Sequence, residues 1–176
     1  GADARIQHLK ALVGAGRCLV FQGKFDAARK ELQRVTSNNE VTDKRLLGAA
    51  YRGLGDAVYG KARSEAADAA KRKQVTADLN EAAMHYLRVT EFYGADYAAD
   101  EMIPATENLA RVFANLFLLG DGADCALGSR AYESYRKAWK LMSPGQRRNQ
   151  LSREALDFKR DYDAKCKKPD PKDKDK

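Results

Sequence analysis

The sequence predicts an all-α protein of antiparallel helical hairpins, with about seven helices in one domain. The first observation is composition, since 44% of the 176 residues are hydrophobic and only 4 are proline. Val, Ile and Thr do not cluster in alternating runs, which favours helices over a sheet. The second observation is the spacing of small and apolar residues over residues 12–35, which is typical of two closely packed helices.

The first hairpin is predicted from residues that let two helices approach each other. We expect helices over residues 3–22 and 25–36, with Gly23 ending the first of them. Gly16 and Ala28 are placed at the point of closest approach, because a larger side chain there would push the helices apart.

The next two helices are predicted from caps and from helix-forming residues. Thr42 is the expected N-cap of a long third helix. The Ala-rich, charged residues 61–73 continue this helix without a visible turn, so we expect an extension that projects past the hairpin. Asp78-x-x-Glu81 resembles a capping box and predicts the start of the fourth helix.

The following segment is divided by glycine and proline. Residues 93–96 are expected to form a turn, and a helix is expected over residues 97–119. Pro104 either starts this helix or lies inside a longer one, which we favour. Residues 120–122 end it, and Ser129 is the expected cap of the next helix.

The C-terminal part predicts one amphipathic helix and a tail. Ser143, followed by Pro144 and Gln146, predicts an N-cap for a final helix over residues 144–166, which closes a domain spanning residues 1–166. One apolar stripe runs along this helix among many charges: Leu151, Ala155, Phe158 and Tyr162. The low-complexity residues 167–176 are expected to be a disordered, charged tail.

Three stretches of the chain resemble the tetratricopeptide repeat, a helical hairpin that stacks into a solenoid. The resemblance covers roughly residues 4–143 as three degenerate repeats followed by the capping helix. The residues that carry it are Ala15-Gly16 with Ala28, Tyr51-x-x-Leu54-Gly55-x-x-Val58 with Tyr86 and Val89, and Ala110 with Ala131-x-x-x-Tyr135-x-x-Ala138 and Ser143-Pro144. The resemblance implies a right-handed solenoid that binds proteins as a bacterial adaptor or scaffold.

The same resemblance implies a concave groove lined by the first helix of each repeat. Carried onto this chain, the groove positions are Lys10, Val13, Arg17, Arg52, Asp56, Tyr59, Glu107, Asn108 and Arg111. Three arginines would then face one groove, and a guanidinium fork suits carboxylates. We therefore expect an extended or C-terminal acidic peptide as ligand. The alternative is that these arginines pair with neighbouring acids of the chain.

Enzymatic, metal and cofactor chemistry are not indicated by any motif. The two histidines, His8 and His85, lie outside metal-ligand patterns and are expected to be partly exposed helix residues. Gly14-x-Gly16 lacks the third glycine and the preceding strand of a dinucleotide loop. We expect no catalysis, no cofactor and no metal.

The net charge of +7 raises a second function class. The last third of the chain is rich in Lys and Arg, so a basic surface for nucleic acid or anionic lipid is the alternative function. Interleaved Asp and Glu make this surface a solvated helix face instead, and nucleic acid is not the expected partner. A third class is self-association into a homodimer through an open end of the solenoid.

The cysteines and the apolar runs say little about the compartment. Cys18 is expected to be a small core residue, while one bridge between Cys125 and Cys166 is left open by the spacing. No apolar run is long enough to cross a membrane. Residues 93–98 also resemble the repeat junctions of bacterial cell-envelope proteins of the tetratricopeptide class. Since the chain begins at Gly1 without a methionine, a missing N-terminal segment is expected, and both the cytoplasm and the cell envelope stay open.

Overall fold

The computed structural model describes residues 2–92 and 99–167, and these form helices joined by short connections. Within them there is no strand. The seven α-helices are α1 (Ala2–Phe21), α2 (Phe25–Thr36), α3 (Lys44–Glu65), α4 (Arg72–Phe92), α5 (Ala99–Leu119), α6 (Cys125–Leu141) and α7 (Gln146–Cys166). Each helix packs on the next in sequence, and α3 also packs on α1 and α5. The arrangement is an all-α, solenoid-like fold, so the predicted fold class is confirmed.

Glycines set the distance between neighbouring helices. A Cβ atom added to Gly16 would lie 2.5 Å from Leu32 Cγ, and one added to Gly55 would lie 2.6 Å from the Tyr86 ring. Ala28 is fully buried between α1 and its neighbours. These distances confirm the close approach predicted for the first hairpin, because any side chain at either glycine would displace a buried neighbour.

Two predicted helix ends are confirmed by their backbone geometry. Gly23 follows α1 with a φ of 71°, a conformation that glycine adopts without strain. Its N–H donates to the Val20 carbonyl, and the next N–H donates to the Leu19 carbonyl, which is a Schellman end. After α5, Asp121 and Gly122 have φ values of 56° and 73°, and their N–H groups donate to the Leu118 and Phe117 carbonyls. Pro104 lies inside α5, as the longer-helix alternative requires.

The expected projection at residues 61–73 is wrong. α3 ends at Glu65, and a 3-10 turn at Ala69–Lys71 leads directly into α4, which packs back on α3. Asp68 accepts a hydrogen bond from the Ala70 N–H and caps this turn. Asp78 is consequently not a cap but a buried residue within α4, where the Gln74 amide donates to it at 2.7 Å.

Three predicted caps are displaced by a few residues. Asp43, not Thr42, accepts from the first N–H groups of α3. Asp124, not Ser129, caps α6, so that Ser129 lies inside the helix. α7 begins after Gly145 without a side-chain cap, and Ser143 lies before that start. In the first two cases the cap is an aspartate instead of the predicted Thr42 or Ser129, and its carboxylate accepts two backbone N–H groups.

The cysteines differ from expectation at one position. Cys18 is exposed on α1, so its assignment to the core is wrong. Cys125 and Cys166 form a disulfide that joins the start of α6 to the end of α7.

The C-terminal helix packs through its predicted apolar stripe. Leu151 and Phe158 are buried, and Phe158 contacts the rings of Phe117 on α5 and Tyr135 on α6. Tyr162 also meets Phe117 edge to face. The predicted turn at residues 93–96, the helix start at residue 97 and residues 168–176 of the tail lie outside the described residues.

Candidate functional site

Most of the predicted groove residues meet in one polar network, while Lys10, Val13 and Tyr59 lie outside it. Arg17 on α1, Arg52 and Asp56 on α3, and Asn108 and Arg111 on α5 all take part in this network. Lys10 is exposed on α1, outside the contacts of the network. Val13 is 6% exposed and belongs to the core, so its assignment to the groove is wrong.

The first half of the network is centred on Glu101 at the start of α5. Arg17 Nη1 donates to Glu101 Oε1 at 2.9 Å, and Arg52 pairs with the other oxygen of the same carboxylate. Burial raises the pKa of Glu101, while the charge and hydrogen bond of Arg17 lower it. Two of the three predicted arginines therefore share one carboxylate of the chain itself.

Asp56 connects this cluster to the centre of the fold. It accepts hydrogen bonds from the Tyr86 hydroxyl at 2.8 Å and from Asn108 Nδ2 at 3.0 Å, and Arg52 Nη1 lies 3.8 Å away. Burial raises the pKa of Asp56 to about 6, although both hydrogen bonds oppose that shift. Burial also raises the pKa of Tyr86 well above its usual value, and the neighbouring Asp56 raises it as well.

The second half of the network joins α5 to α7 around Arg111. Its guanidinium donates to both oxygens of Glu154, at 2.9 and 3.2 Å, and pairs with Glu107 at 2.7 Å. Glu107, only 5% exposed, also pairs with Arg147 of α7. Burial lowers the pKa of Arg111, but the hydrogen bond to Glu154 and the charge of Glu107 raise it by a larger amount. The pKa is therefore raised overall, and the guanidinium stays charged.

All three predicted arginines thus have carboxylate partners from the chain. This is the arrangement that the sequence left open as the alternative to a free peptide-binding fork. Arg17 and Glu101 are 84 positions apart, and Arg111 and Glu154 are 43 apart. No local spacing pointed to Glu101 or Glu154, which is why sequence reasoning missed both.

An open pocket of about 680 Å³ lies beside the second cluster, between α3, α5 and α7. We call it the concave pocket. Three predicted groove residues line it: Tyr59, Asn108 and Arg111. The remaining walls combine two further rings, two amides and a row of acids on α7, contributed by Tyr135, Phe158, Asn115, Gln150, Glu154, Asp157 and Asp161. Tyr59 is 7% exposed and accepts from Asn115 Nδ2 at 3.2 Å.

A second pocket of about 360 Å³ adjoins the concave pocket where α3 ends and α4 begins. We call it the apolar recess. Aliphatic side chains form most of its lining: Ala62, Ala66, Val75, Leu79, Leu118 and Leu119. Arg63, Asn115 and Leu118 line both pockets, so the two are neighbours, and we call them together the groove. No sequence motif indicated the recess, because its residues come from three helices.

Three of the six basic residues of α7, and Lys167 just after the helix, form ion pairs with acids. Lys159 and Lys167 both pair with Asp163, and Arg160 pairs with Asp157. Together with the Arg147–Glu107 pair, these contacts interrupt the positive charge along the helix.

The side chains that could ligate a metal ion or act in catalysis, including the two histidines, do not cluster in the described part of the chain. His85 stacks on Tyr51 and contacts Glu81, and burial lowers its pKa, while His8 is exposed on α1. Within residues 4–90 and 100–167, no three His, Cys, Asp or Glu side chains come together as a metal site. None of the described helices combines the length and hydropathy that crossing a membrane requires.

The comparisons with known proteins give no relative for this chain. No family model, no curated protein and no solved structure matches it.

Proposed function

We propose that the chain is a non-catalytic protein-binding module that holds a segment of a partner in its concave pocket. The observation that carries this proposal is the open volume of about 680 Å³ between α3, α5 and α7. Pockets of this size hold ligands through apolar walls with a few fixed polar groups. Here Tyr135 and Phe158 supply apolar surface, and Asn115 supplies an amide for hydrogen bonds.

The polar network supports this proposal by fixing the pocket walls. The Arg111–Glu154 pair spans α5 and α7, and Asp56 holds Tyr86 and Asn108 together below the surface. A surface whose side chains are already held loses less entropy when a partner binds. The stacking of α3 on α1 and α5 also supports the assignment to the tetratricopeptide class that the sequence suggested.

A non-catalytic role is favoured because burial raises the pKa of Tyr59 and Tyr135, which line the concave pocket, further from neutral pH. Asp56, whose pKa is raised to about 6, does not line the concave pocket, and its hydrogen bonds are taken up within the fold. The other candidate, His85, packs against Tyr51 on α3 at a distance from that pocket. General acid–base chemistry requires such a group within reach of a bound substrate.

The alternative of a basic surface for nucleic acid or lipid receives less support. Electrostatic binding needs a one-sided positive stripe, whereas three basic residues of α7 and Lys167 just after it are paired with acids. The disulfide supports the exported alternative for the compartment, since such bonds persist in oxidising environments such as the bacterial envelope.

The proposal is tested by a change inside the groove and a matched change outside it. Leu118 is 49% exposed in the groove, whereas Leu156 is 59% exposed on α7 outside both pockets. Lysate proteins captured by the wild-type chain should be lost with Leu118→Glu and retained with Leu156→Glu. Equal recovery by both variants would refute the groove as the binding site. Circular dichroism confirms that each variant is folded.

A further inference from the structure

The groove carries an asymmetry that specifies the chemistry of its partner. The apolar recess lies at one end, and α7 provides an acidic wall at the other. Within this wall Glu154 is neutralised by Arg111. The charges that remain for a ligand are therefore those of Asp157 and Asp161, one helical turn apart on α7.

The two aspartates differ from the predicted groove arginines in their availability. Asp161 makes no ion pair with any residue in the described part of the chain. Asp157 pairs only with Arg160 of its own helix, where the two side chains are 67% and 79% exposed. Such surface pairs contribute little and are readily exchanged for another cation. Arg17, Arg52 and Arg111, in contrast, are held by carboxylates that are mostly buried.

The junction between the two ends offers hydrogen-bond donors. Arg63 lies over the Tyr59 ring, 5.8 Å from its centroid, and Asn115 stands beside it in both pockets. A guanidinium and an amide donate to the carbonyls of an extended backbone, while Leu118 provides apolar contact next to them.

We propose that the partner segment places an aliphatic side chain in the apolar recess and a Lys or Arg against Asp157 and Asp161. This inference rests on the proposed function and reverses the charge of the peptide expected from the sequence. Charge complementarity sets the direction of the bound segment, since Asp157 and Asp161 attract a cationic side chain, while the Arg63 guanidinium at the recess repels one.

The test selects peptides from a random phage-displayed library on the full chain and measures the best of them by fluorescence anisotropy. Selected peptides should combine an aliphatic residue with Lys or Arg. Asp157→Lys/Asp161→Lys should weaken their affinity by about tenfold or more, because attraction becomes repulsion at two positions. Glu40→Lys/Glu133→Lys makes the same change in net charge outside the groove and should leave affinity unchanged.

Different outcomes separate this inference from the proposed function. If selection yields acidic peptides whose binding is lost in Arg63→Gln and in Leu118→Glu, the groove binds peptides but the basic partner is refuted. If no peptide is enriched, or if enriched peptides are insensitive to Leu118→Glu and to the reversed aspartates, the proposed function itself fails.

Discussion

Replacing Cys125 and Cys166 with serine is expected to lower the free energy of unfolding by about 4 kcal/mol. The disulfide closes a loop with a sequence separation of 41 residues, spanning α6 and α7. In the chain-entropy model a loop of that length restricts the unfolded state by about 13 cal/mol/K, which gives about 4 kcal/mol at room temperature. The same loss should follow reduction of the wild-type protein.

The assay is urea unfolding followed by two signals on the same samples. Far-UV circular dichroism reports all helices, while Trp139, the single tryptophan, lies on α6 with the Arg148 guanidinium 3.7 Å from its ring. Because stacked helices contact mainly their neighbours, α7 should detach before the rest once the bond is absent. We expect the fluorescence transition to precede the helical one in the serine variant and to coincide with it in the oxidised protein.

The result that would refute this reasoning is a loss below about 1 kcal/mol with an unchanged denaturant dependence. It would mean that the unfolded chain keeps α6 and α7 close together even without the bond. Cys18→Ser is the matched control, since this exposed thiol closes no loop and should leave both transitions in place.

Three further predictions concern the core and the polar network. Gly55→Ala should lower the free energy of unfolding by about 1–3 kcal/mol, because the new methyl group meets the Tyr86 ring, as urea unfolding will show. Gly14→Ala, where nothing lies within 4 Å, should instead raise it by up to about 1 kcal/mol through helix propensity. Burial raises the pKa of Asp56 to about 6, so its contribution to stability should fall as pH rises from about 4 to 6, where Asp56 binds more protons in the folded than in the unfolded state. Asp56→Asn should remove this dependence. The free energy of unfolding of the variant, relative to that of the wild type, should therefore rise by up to about 3 kcal/mol over that pH range. Arg111→Glu should cost about 3 kcal/mol in the same assay, because it places a third carboxylate beside two existing ones.

Each of these predictions has an outcome that contradicts it. Equal stability of the two glycine variants would mean that the Tyr86 ring moves aside without cost. A difference between Asp56→Asn and wild type that stays constant with pH would place the pKa of Asp56 near its ordinary value. Full stability of Arg111→Glu would show that the α5–α7 ion pairs do not hold the pocket wall.

The fold was predictable where local chemistry decides it. Both ends of α2 were predicted, since Gly23 and a polar loop bracket a strongly amphipathic segment. The connection between α3 and α4 was missed because residues 66–71 are mostly strong helix formers without Gly or Pro. Packing of α4 back on α3 overrides that propensity, and Asp68 is the one local signal of the turn.

Sequence reasoning selected some residues that line one pocket, but it did not find the partners of the arginines. The resemblance identified the helices that carry the site, and Tyr59, Asn108 and Arg111 do line the concave pocket. The partners of the arginines come from distant parts of the chain, so their neutralisation could not be inferred from spacing. Arg17, Arg52 and Arg111, which the resemblance placed in the groove as ligands for a carboxylate, instead form ion pairs that join helices of the fold.

The fit of large side chains against glycines has a consequence for how this sequence can diverge. Leu32 packs against Gly16 in the α1–α2 hairpin, and Tyr86 packs against Gly55 in the α3–α4 hairpin. The side chain that fits the glycine therefore differs in shape between these two hairpins. Exchanging one helix between these hairpins would place the Tyr86 ring against Gly16, where the space fits the aliphatic side chain of Leu32. Because Gly53 and Gly60 of α3 also lie against Leu32 and Phe25 of α2, recombination and design on this scaffold should replace consecutive helices together rather than one hairpin alone.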